Sequence, residues 1–354
     1  MEQLWKQNLR QIEPYVPGEQ SSDPLRIKLN ANENPYPPAP GVQAVLRSYD
    51  PAALCLYPDA NAGVLKAAIA KHYGVTPAQV FVGNGSDDVL ALAFQAFFNS
   101  QKPIAFPDIT YSFYPVWCRL FHIPFVTYSL TANFRIDPAD YAAPNGGVVL
   151  PNPNAPTSVG EDLPFVRELL AKNRDAVVIV DEAYADFGGV SAVELLAEYP
   201  NLLVCGTFSK SRSLAGLRLG FAIGSTELIG VLEAVKNSYN SYTVDNLSLL
   251  CGAAAMEDEA YFADTVGKVM ATRERVRSAM EKMGFSVLPS RTNFLFATKS
   301  GVSMRDLFLY LKQRHIFIRY FDLPRIDNYV RITIGTDAQM DAFLKETEAF
   351  LHGE

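Results

Sequence analysis

Short apolar runs alternate with longer amphipathic segments over the first two thirds of the chain. The runs VVIVDEAY (177–184) and LLVCGTFS (202–209) begin with continuous, partly β-branched apolar residues, which is typical of buried parallel strands. Segments between such runs follow helical spacing, as in GVLKAAIAKHYG (63–74). This alternation, from about residue 61 to 224, predicts an α/β fold with a mostly parallel central sheet wound with helices.

The pattern changes after a polar, tyrosine-rich stretch at 237–246. A long helical region to about residue 283 is followed by strand-like runs and two further helices, which indicates a smaller α+β domain. The predicted strands there are NFLFAT (293–298), FIRYF (317–321) and YVRITIG (329–335). We predict a large domain at 30–246, a small C-terminal domain at 247–354, and an N-terminal arm and helix at 1–29 that joins the small domain.

The composition is that of a large globular protein. With 354 residues, 49% of them hydrophobic and 19% charged, the chain can bury a sizeable core. Its net charge of −7 argues against a nucleic-acid partner, because phosphate backbones are bound by basic faces. No run reaches the ~18 apolar residues of a membrane span, and the N-terminus lacks a signal-peptide core. The four cysteines and four histidines show no metal-ligand spacing. We expect a cytoplasmic protein with no membrane partner and no metal.

A lysine among hydroxyls carries the strongest chemical signal. The stretch TFSKSRSLAGLRLG (207–220) places Lys210 beside Thr207 and Ser209, with Arg218 eight residues further on. A lysine that forms a Schiff base with pyridoxal phosphate needs hydroxyl and guanidinium donors nearby for the phosphate. The same stretch could also be a basic, serine-rich surface loop. Its interpretation therefore depends on residues upstream.

Asp181 ends the apolar run that begins at residue 177. Parallel sheets bind ligands at the carboxyl ends of their strands, so Asp181 is suited to hold the pyridinium N–H of the cofactor. Tyr184 could donate a hydrogen bond to the phenolate oxygen. An aspartate at this position could instead cap the next helix. Because the run at 202–209 ends just before Lys210, two neighbouring strands would bring Asp181 and Lys210 to one edge.

A third strand-to-helix junction lies in FVGNGSDDVLALAFQAFF (81–98). Helix N-termini bind phosphate through free N–H groups and the helix dipole. An inward-pointing carboxylate would repel a phosphate, so we assign the contact to Ser86 and to the backbone of Asp87.

Together these motifs resemble those of the histidinol-phosphate aminotransferases, a family of fold-type I pyridoxal-phosphate enzymes. The resemblance covers nearly the whole chain. It rests on LNANENP (29–35), CLYPD (55–59), GNGSD (83–87), PDITYSFY (107–114), NPNAPT (152–157), VDEAY (180–184), FSKSRSLAGLRLG (208–220), TNFLF (292–296) and VRITIGT (330–336).

The resemblance implies pyridoxal 5′-phosphate as cofactor and a role for each matching residue. Lys210 would bond to the cofactor aldehyde, Asp181 would pair with the pyridine nitrogen, and Tyr184 would contact the phenolate oxygen. Tyr111 would stack on the ring. The phosphate would be held by Ser86, the backbone of Asp87, Ser209 and Arg218, with Thr207 as a further donor suggested by the local motif. Tyr57 would join them from the partner of a homodimer with shared active sites and arm contacts between subunits.

One motif departs from the family pattern. Relatives usually carry NNPTG, whose second asparagine bonds to the cofactor phenolate, whereas this chain has alanine at position 155. Ala155 cannot make that bond. Either Asn154 takes the role after a local shift, or Tyr184 acts alone.

Two arginines are candidates for the substrate. Arg331 and Arg319 lie in predicted strands of the small domain. A guanidinium in an apolar strand needs an anionic partner. The resemblance implies that they bind the substrate phosphate, and a structural salt bridge to a carboxylate is the alternative for each. Tyr15, Tyr239 and Asn32 resemble family residues that line the same pocket.

The predicted activity is an aminotransferase in which Lys210 moves a proton at the substrate Cα. By resemblance, histidinol phosphate and 2-oxoglutarate would give imidazole acetol phosphate and glutamate, a step of histidine biosynthesis. An aromatic amino-acid aminotransferase and a threonine-phosphate decarboxylase are alternatives on the same fold. A DNA-binding regulator would need a domain for which the chain has no spare length, and a carbohydrate aminotransferase would lack the arginine of VRITIGT.

Overall fold

The computed structural model describes residues 4–15, 18–19, 22–142 and 144–353. The α-helices in this part are α1 Pro40–Ser48, α2 Gly63–Tyr73, α3 Ser86–Phe97, α4 Phe113–Phe121, α5 Leu163–Lys172, α6 Thr226–Tyr239, α7 Asn246–Glu257, α8 Glu259–Lys282, α9 Met304–Gln313 and α10 Asp337–His352. The strands are β1 Ile27–Lys28, β2 Val80–Gly83, β3 Ile104–Pro107, β4 Phe125–Tyr128, β5 Gly147–Pro151, β6 Val178–Asp181, β7 Leu202–Thr207, β8 Gly220–Gly224, β9 Ser286–Val287, β10 Phe294–Thr298, β11 Ile316–Phe317, β12 Arg319–Tyr320 and β13 Val330–Thr333.

The central sheet has seven strands in the order β2-β8-β7-β6-β5-β3-β4. Every pairing from β7 to β4 is parallel, and β8 runs antiparallel to both of its neighbours. Successive residues of β6 point into different cores: Val178 and Val180 pack on one face of the sheet, and Ile179 packs on the other. Helices cover both faces of the sheet, which explains why the sequences of these strands are continuous apolar runs. The predicted fold class is confirmed.

Local sequence accounts for the helix ends. Gly74 ends α2 in the left-handed conformation, with φ of 68°. Ser225 caps α6 by accepting from the Leu228 N–H. At α10, Thr336 and Gln339 form a reciprocal capping box, and the helix begins at Asp337.

The small domain contains a four-stranded antiparallel sheet in the order β12-β13-β10-β9. Helices α8, α9 and α10 pack over it around a separate apolar core. Strand β1 pairs with β11, and Leu29 enters this core.

The N-terminal segment before β1 lies on the large domain, where Tyr15 stacks on Phe113 at 4.1 Å between ring centroids. Residues 4–8 form a 3₁₀-helix. Residues 1–3, 16–17 and 20–21 of the predicted arm lie outside the described residues.

Helix α7 belongs to the large domain by its packing. It lies against α1 and α2, and Leu249 and Met256 enter the core formed by those helices. From this packing we propose a domain boundary after α7, near Asp258, in place of the predicted one between residues 246 and 247. None of the described helices combines the length and apolar composition needed to cross a bilayer.

Candidate active site

The carboxyl ends of β6 and β7 open onto a cavity of about 390 Å³. The two strands are parallel neighbours, with Asp181 paired to Cys205, so Asp181 and Lys210 reach the same edge of the sheet, as predicted. Most of the predicted site residues line this cavity: Tyr15, Asn32, Ser86, Asp87, Tyr111, Asp181, Tyr184, Thr207, Ser209, Lys210, Arg218, Arg319 and Arg331. Residues distant in sequence thus meet at one place.

Asp181 is a buried carboxylate with two donors. The Tyr114 hydroxyl donates to its Oδ2 at 2.9 Å, and the Ala183 N–H donates to its Oδ1 at 3.2 Å. Burial raises the pKa of Asp181 to about 6, although both hydrogen bonds act in the opposite direction. A cationic N–H placed beside this carboxylate would stabilise its charged form.

Lys210 presents its amine to the cavity near Tyr184. Its Nζ donates to the Ala31 carbonyl at 3.2 Å and lies 5.7 Å from the centroid of the Tyr184 ring. Among the described residues, Lys210 forms no ion pair with a carboxylate. The amine is therefore held by a neutral acceptor, which leaves it available to react with a carbonyl carbon.

Asn32 contacts the Tyr184 side chain directly. Its Nδ2 donates to the Tyr184 hydroxyl at 2.9 Å, and its Oδ1 accepts from Thr333 Oγ1 at 2.9 Å. Asn32 was predicted to bind substrate. The structure places it in the cavity wall, but both ends of its amide are engaged by protein groups.

Another group of lining residues has donors that suit an anion. Arg218 lies beside the Ser209 hydroxyl, with 3.4 Å between Nη1 and Oγ, and Thr207 accepts from the Ser209 N–H at 3.1 Å. The first turn of α3 begins here, at Ser86. The Asp87 carboxylate also lies here: it accepts from the Tyr111 hydroxyl at 2.7 Å and from Arg218 at 3.3 Å.

Glycine is required where β8 meets this turn. A Cβ on Gly220 would lie 2.3 Å from the Ser86 nitrogen, so a side chain there would push α3 away. Gly85 has φ of 85°, and a Cβ on it would lie 2.7 Å from the Arg218 guanidinium. The close approach brings the free N–H groups of α3 next to Arg218.

Arg319 and Arg331 face each other across β12 and β13 as paired residues. Arg331 Nη2 donates to the Asn30 carbonyl at 2.8 Å, while its buried Nε has no partner among the described residues. Burial lowers the pKa of Arg331. In the described part of the chain neither arginine forms an ion pair, so a structural salt bridge does not account for them there. Their donors suit an anion.

Three predicted residues do not line the cavity. Asn154 Nδ2 donates to the Ile109 carbonyl in another loop and to Thr157 Oγ1 in its own turn, both at 2.9 Å, so protein acceptors engage its amide N–H groups. Ala155 lines the cavity in its place. Tyr239 ends α6 with 75% of its side chain exposed. Tyr57 is 82% exposed and stacks on Tyr242.

Two residues of the site were missed in the sequence. Tyr114 lies one helical turn after Tyr111, a spacing that could have placed both hydroxyls at one site. Thr333 follows Arg331 by two residues on the same face of β13. That alternation was a usable signal, but the residue that Thr333 contacts, Asn32, is 301 positions away.

These groups fit pyridoxal 5′-phosphate, the cofactor that the motifs imply. The buried Asp181 carboxylate matches a pyridinium N–H, and the Tyr184 hydroxyl matches a phenolate oxygen. Ser209, Arg218 and the first turn of α3 match a phosphate dianion. Lys210 lines the same cavity.

The comparisons with known proteins agree with this geometry. The profile described as aminotransferase class I and II matches residues 26–346. A histidinol-phosphate aminotransferase of Chromohalobacter salexigens is 50% identical over 99% of both chains. Histidinol-phosphate aminotransferase 2 of Dechloromonas aromatica is 51% identical over 97% of both.

Solved structures show the same fold. Histidinol-phosphate aminotransferase from Sinorhizobium meliloti, in complex with pyridoxal-5′-phosphate, gives a TM-score of 0.80 at 23% identity over 91% of each chain. The enzyme from Clostridium acetobutylicum gives 0.82 at 21% identity, over 92% of this chain and all of that one. The predicted fold and enzyme class are confirmed. The chain belongs to the histidinol-phosphate aminotransferase family, within the pyridoxal-phosphate-dependent class I and II aminotransferases.

Proposed function

We propose that the enzyme transfers the amino group of histidinol phosphate to 2-oxoglutarate, giving imidazole acetol phosphate and glutamate in histidine biosynthesis. The observation that carries the proposal is the pair Arg319 and Arg331, which line the cavity that holds Lys210 and form no ion pair in the described part of the chain. A phosphate or carboxylate would satisfy their donors. The names of relatives about half identical to this chain support the phosphate ester.

Lys210 is proposed as the catalytic base. When bound, pyridoxal phosphate supplies an aldehyde that takes the amino group and a ring that draws electrons from the substrate Cα. With the cofactor bound, Lys210 Nζ would bond to the aldehyde carbon, and during turnover it would carry the proton that leaves the substrate Cα. Asp181 would hold the pyridinium N–H, Tyr184 would donate to the phenolate oxygen, and Tyr111 would lie against the ring.

The cofactor phosphate is assigned to the end of the cavity at α3. Ser86, Ser209, Thr207 and Arg218 would donate hydroxyl and guanidinium hydrogens, and the Asp87 N–H would add a backbone donor. The Asp87 carboxylate keeps the Arg218 and Tyr111 side chains in place through its two contacts.

A homodimer with shared sites completes the proposal. Tyr57 lies in an exposed apolar segment with Leu54 and Leu56, as expected of a surface that a second subunit covers. We assign Tyr57 to the phosphate of the partner's cofactor. Tyr239 is also exposed, and we assign it to contacts outside the cavity of its own subunit. The four cysteines are free thiols, which is compatible with the cytoplasmic location that we propose.

Steady-state kinetics on the holoenzyme test the substrate. Histidinol phosphate should give a higher kcat/KM than phenylalanine or unphosphorylated histidinol, with 2-oxoglutarate as acceptor. Arg331→Lys should lower kcat/KM for histidinol phosphate by about tenfold to a hundredfold, because lysine cannot form a bidentate contact. Arg277→Lys, at a partly exposed position on α8 outside the cavity, is the matched control.

The competing functions give different results. Equal kcat/KM for phenylalanine and histidinol phosphate would favour an aromatic aminotransferase. Release of carbon dioxide from threonine phosphate would identify a decarboxylase. An unchanged kcat/KM in Arg331→Lys would mean that this arginine does not bind the substrate.

A further inference from the structure

A chain of buried hydrogen bonds joins the small domain to Tyr184. Thr333, in β13, donates through Oγ1 to Asn32 Oδ1 at 2.9 Å, and Asn32 Nδ2 donates to the Tyr184 hydroxyl at 2.9 Å. Thr333 Oγ1 also accepts from the Asn32 backbone N–H at 3.0 Å. Only 1% of Asn32 and 2% of Thr333 are exposed, so water does not compete for these bonds.

The direction of these bonds determines what Tyr184 can do. Its oxygen accepts from Asn32, and no acceptor for its own proton lies within hydrogen-bond distance among the described residues. A phenol that accepts one hydrogen bond still has its O–H to donate. Tyr184 lines the cavity, so the donor is available to a group bound there.

The backbone just before Asn32 is held by two groups of the same site. Arg331 donates to the Asn30 carbonyl at 2.8 Å, and Lys210 donates to the Ala31 carbonyl at 3.2 Å. Asn32 itself has φ of 56°, in the left-handed region that asparagine and glycine adopt most readily. The Asn32 side chain is therefore held between Thr333 of β13 and the Tyr184 hydroxyl.

We propose that Thr333 and Asn32 are positioning residues that hold the Tyr184 hydroxyl as a hydrogen-bond donor aimed into the cavity. The small domain, which carries the substrate arginine two residues from Thr333, thereby sets the orientation of a group that acts on the cofactor. This inference rests on the proposed role of Tyr184 as donor to the phenolate oxygen. It assigns Asn32 to Tyr184 and removes it from direct substrate contact.

The pH titration of the visible absorption band of the holoenzyme tests the proposal without measuring turnover. A donor to the phenolate oxygen stabilises its negative charge, so losing the donor raises the pH midpoint. Tyr184→Phe should raise the midpoint by about 1 to 2 pH units. Thr333→Val should also raise the midpoint, by about half of the Tyr184→Phe shift or more. Thr333→Ser keeps the hydroxyl and should restore the original midpoint.

Two controls connect the effect to Tyr184. Thr333→Val should cause no additional shift in a Tyr184→Phe background, because both changes act through one hydroxyl. Asn154→Ala, which removes a buried amide that does not line the cavity, should leave the midpoint unchanged. If Thr333→Val fails to fold, Asn32→Gly replaces it, because glycine also adopts the left-handed backbone. Asn32→Gly should likewise raise the midpoint.

Each contrary outcome has a distinct meaning. A midpoint that shifts in Tyr184→Phe but not in Thr333→Val or Asn32→Gly would overturn the positioning role and leave the role of Tyr184 intact. A Thr333→Val shift that persists in the Tyr184→Phe background would show that it acts elsewhere, and would also overturn the proposal. An unchanged midpoint in Tyr184→Phe would refute the proposed role of Tyr184, and the inference with it.

Discussion

Asp181 and Tyr114 form a buried polar pair whose energetics depend on pH. Burial raises the pKa of Asp181 to about 6 in the cofactor-free protein, above its unfolded value near 4. The folded state therefore binds this proton more tightly than the unfolded state. The stability that results is present below about pH 4 and is lost as the pH rises through about 6. The Tyr114 hydrogen bond limits the loss because it stabilises the carboxylate.

Tyr114→Phe should destabilise the cofactor-free protein more at pH 8 than at pH 4. Without the hydroxyl the pKa of Asp181 rises further, and the buried carboxylate costs more to ionise. At pH 8 we expect the free energy of unfolding to fall by about 1.5 to 3 kcal/mol. Urea denaturation at both pH values measures this, and in an Asp181→Asn background the pH-dependent part should disappear. An equal loss at pH 4 and pH 8 would mean that Tyr114 contributes only packing.

At the scale of elements, the contact between β8 and α3 positions the residues that we assign to the cofactor phosphate. Gly220→Ala should displace the first turn of α3, because the new Cβ would lie 2.3 Å from the Ser86 nitrogen. We expect a loss of about 1 to 3 kcal/mol in unfolding free energy and weaker retention of the cofactor, measured by equilibrium dialysis. Gly216→Ala is the matched control, since nothing lies within 4 Å of its Cβ. Similar cofactor affinities for the two variants would argue against this role of the junction.

The strand ends could be predicted from sequence because each is encoded locally. Asp181 follows a continuous apolar run, and parallel order then places it near Lys210. Asn154 could not be resolved in the same way, because its acceptor at Ile109 lies 45 positions away in another loop. The Asn32 contacts depend on Thr333 and Tyr184, which only the packing of the two domains brings together. Sequence pattern thus predicts the elements and their ends, whereas tertiary contacts decide which neighbours a side chain meets.

Helix α7 shows the same limit for domain boundaries. Its apolar pattern predicts a helix, but periodicity does not say which core receives it. The packing against α1 and α2 assigns it to the large domain.

At the scale of the whole molecule, the proposed dimer predicts complementation between two defective chains. Lys210→Ala alone should be inactive, and Tyr57→Ala alone should retain the cofactor poorly. In a mixed dimer, the site built on the Tyr57→Ala chain has Lys210 and receives an intact Tyr57 from its partner. Mixing the two proteins under conditions that exchange subunits should therefore restore activity above that of either alone. No gain on mixing, or a monomer that stays fully active at nanomolar dilution, would contradict shared sites.

The central claim is that Lys210 is the residue that bonds to pyridoxal phosphate. Borohydride treatment of the holoenzyme, followed by proteolysis and mass spectrometry of the peptides, measures this directly, because reduction makes the bond between lysine and cofactor permanent. We predict one labelled peptide, containing the segment 207–220 with the cofactor on Lys210, and no label in Lys210→Ala. A label on a different lysine, or none in protein supplied with the cofactor, would contradict the account.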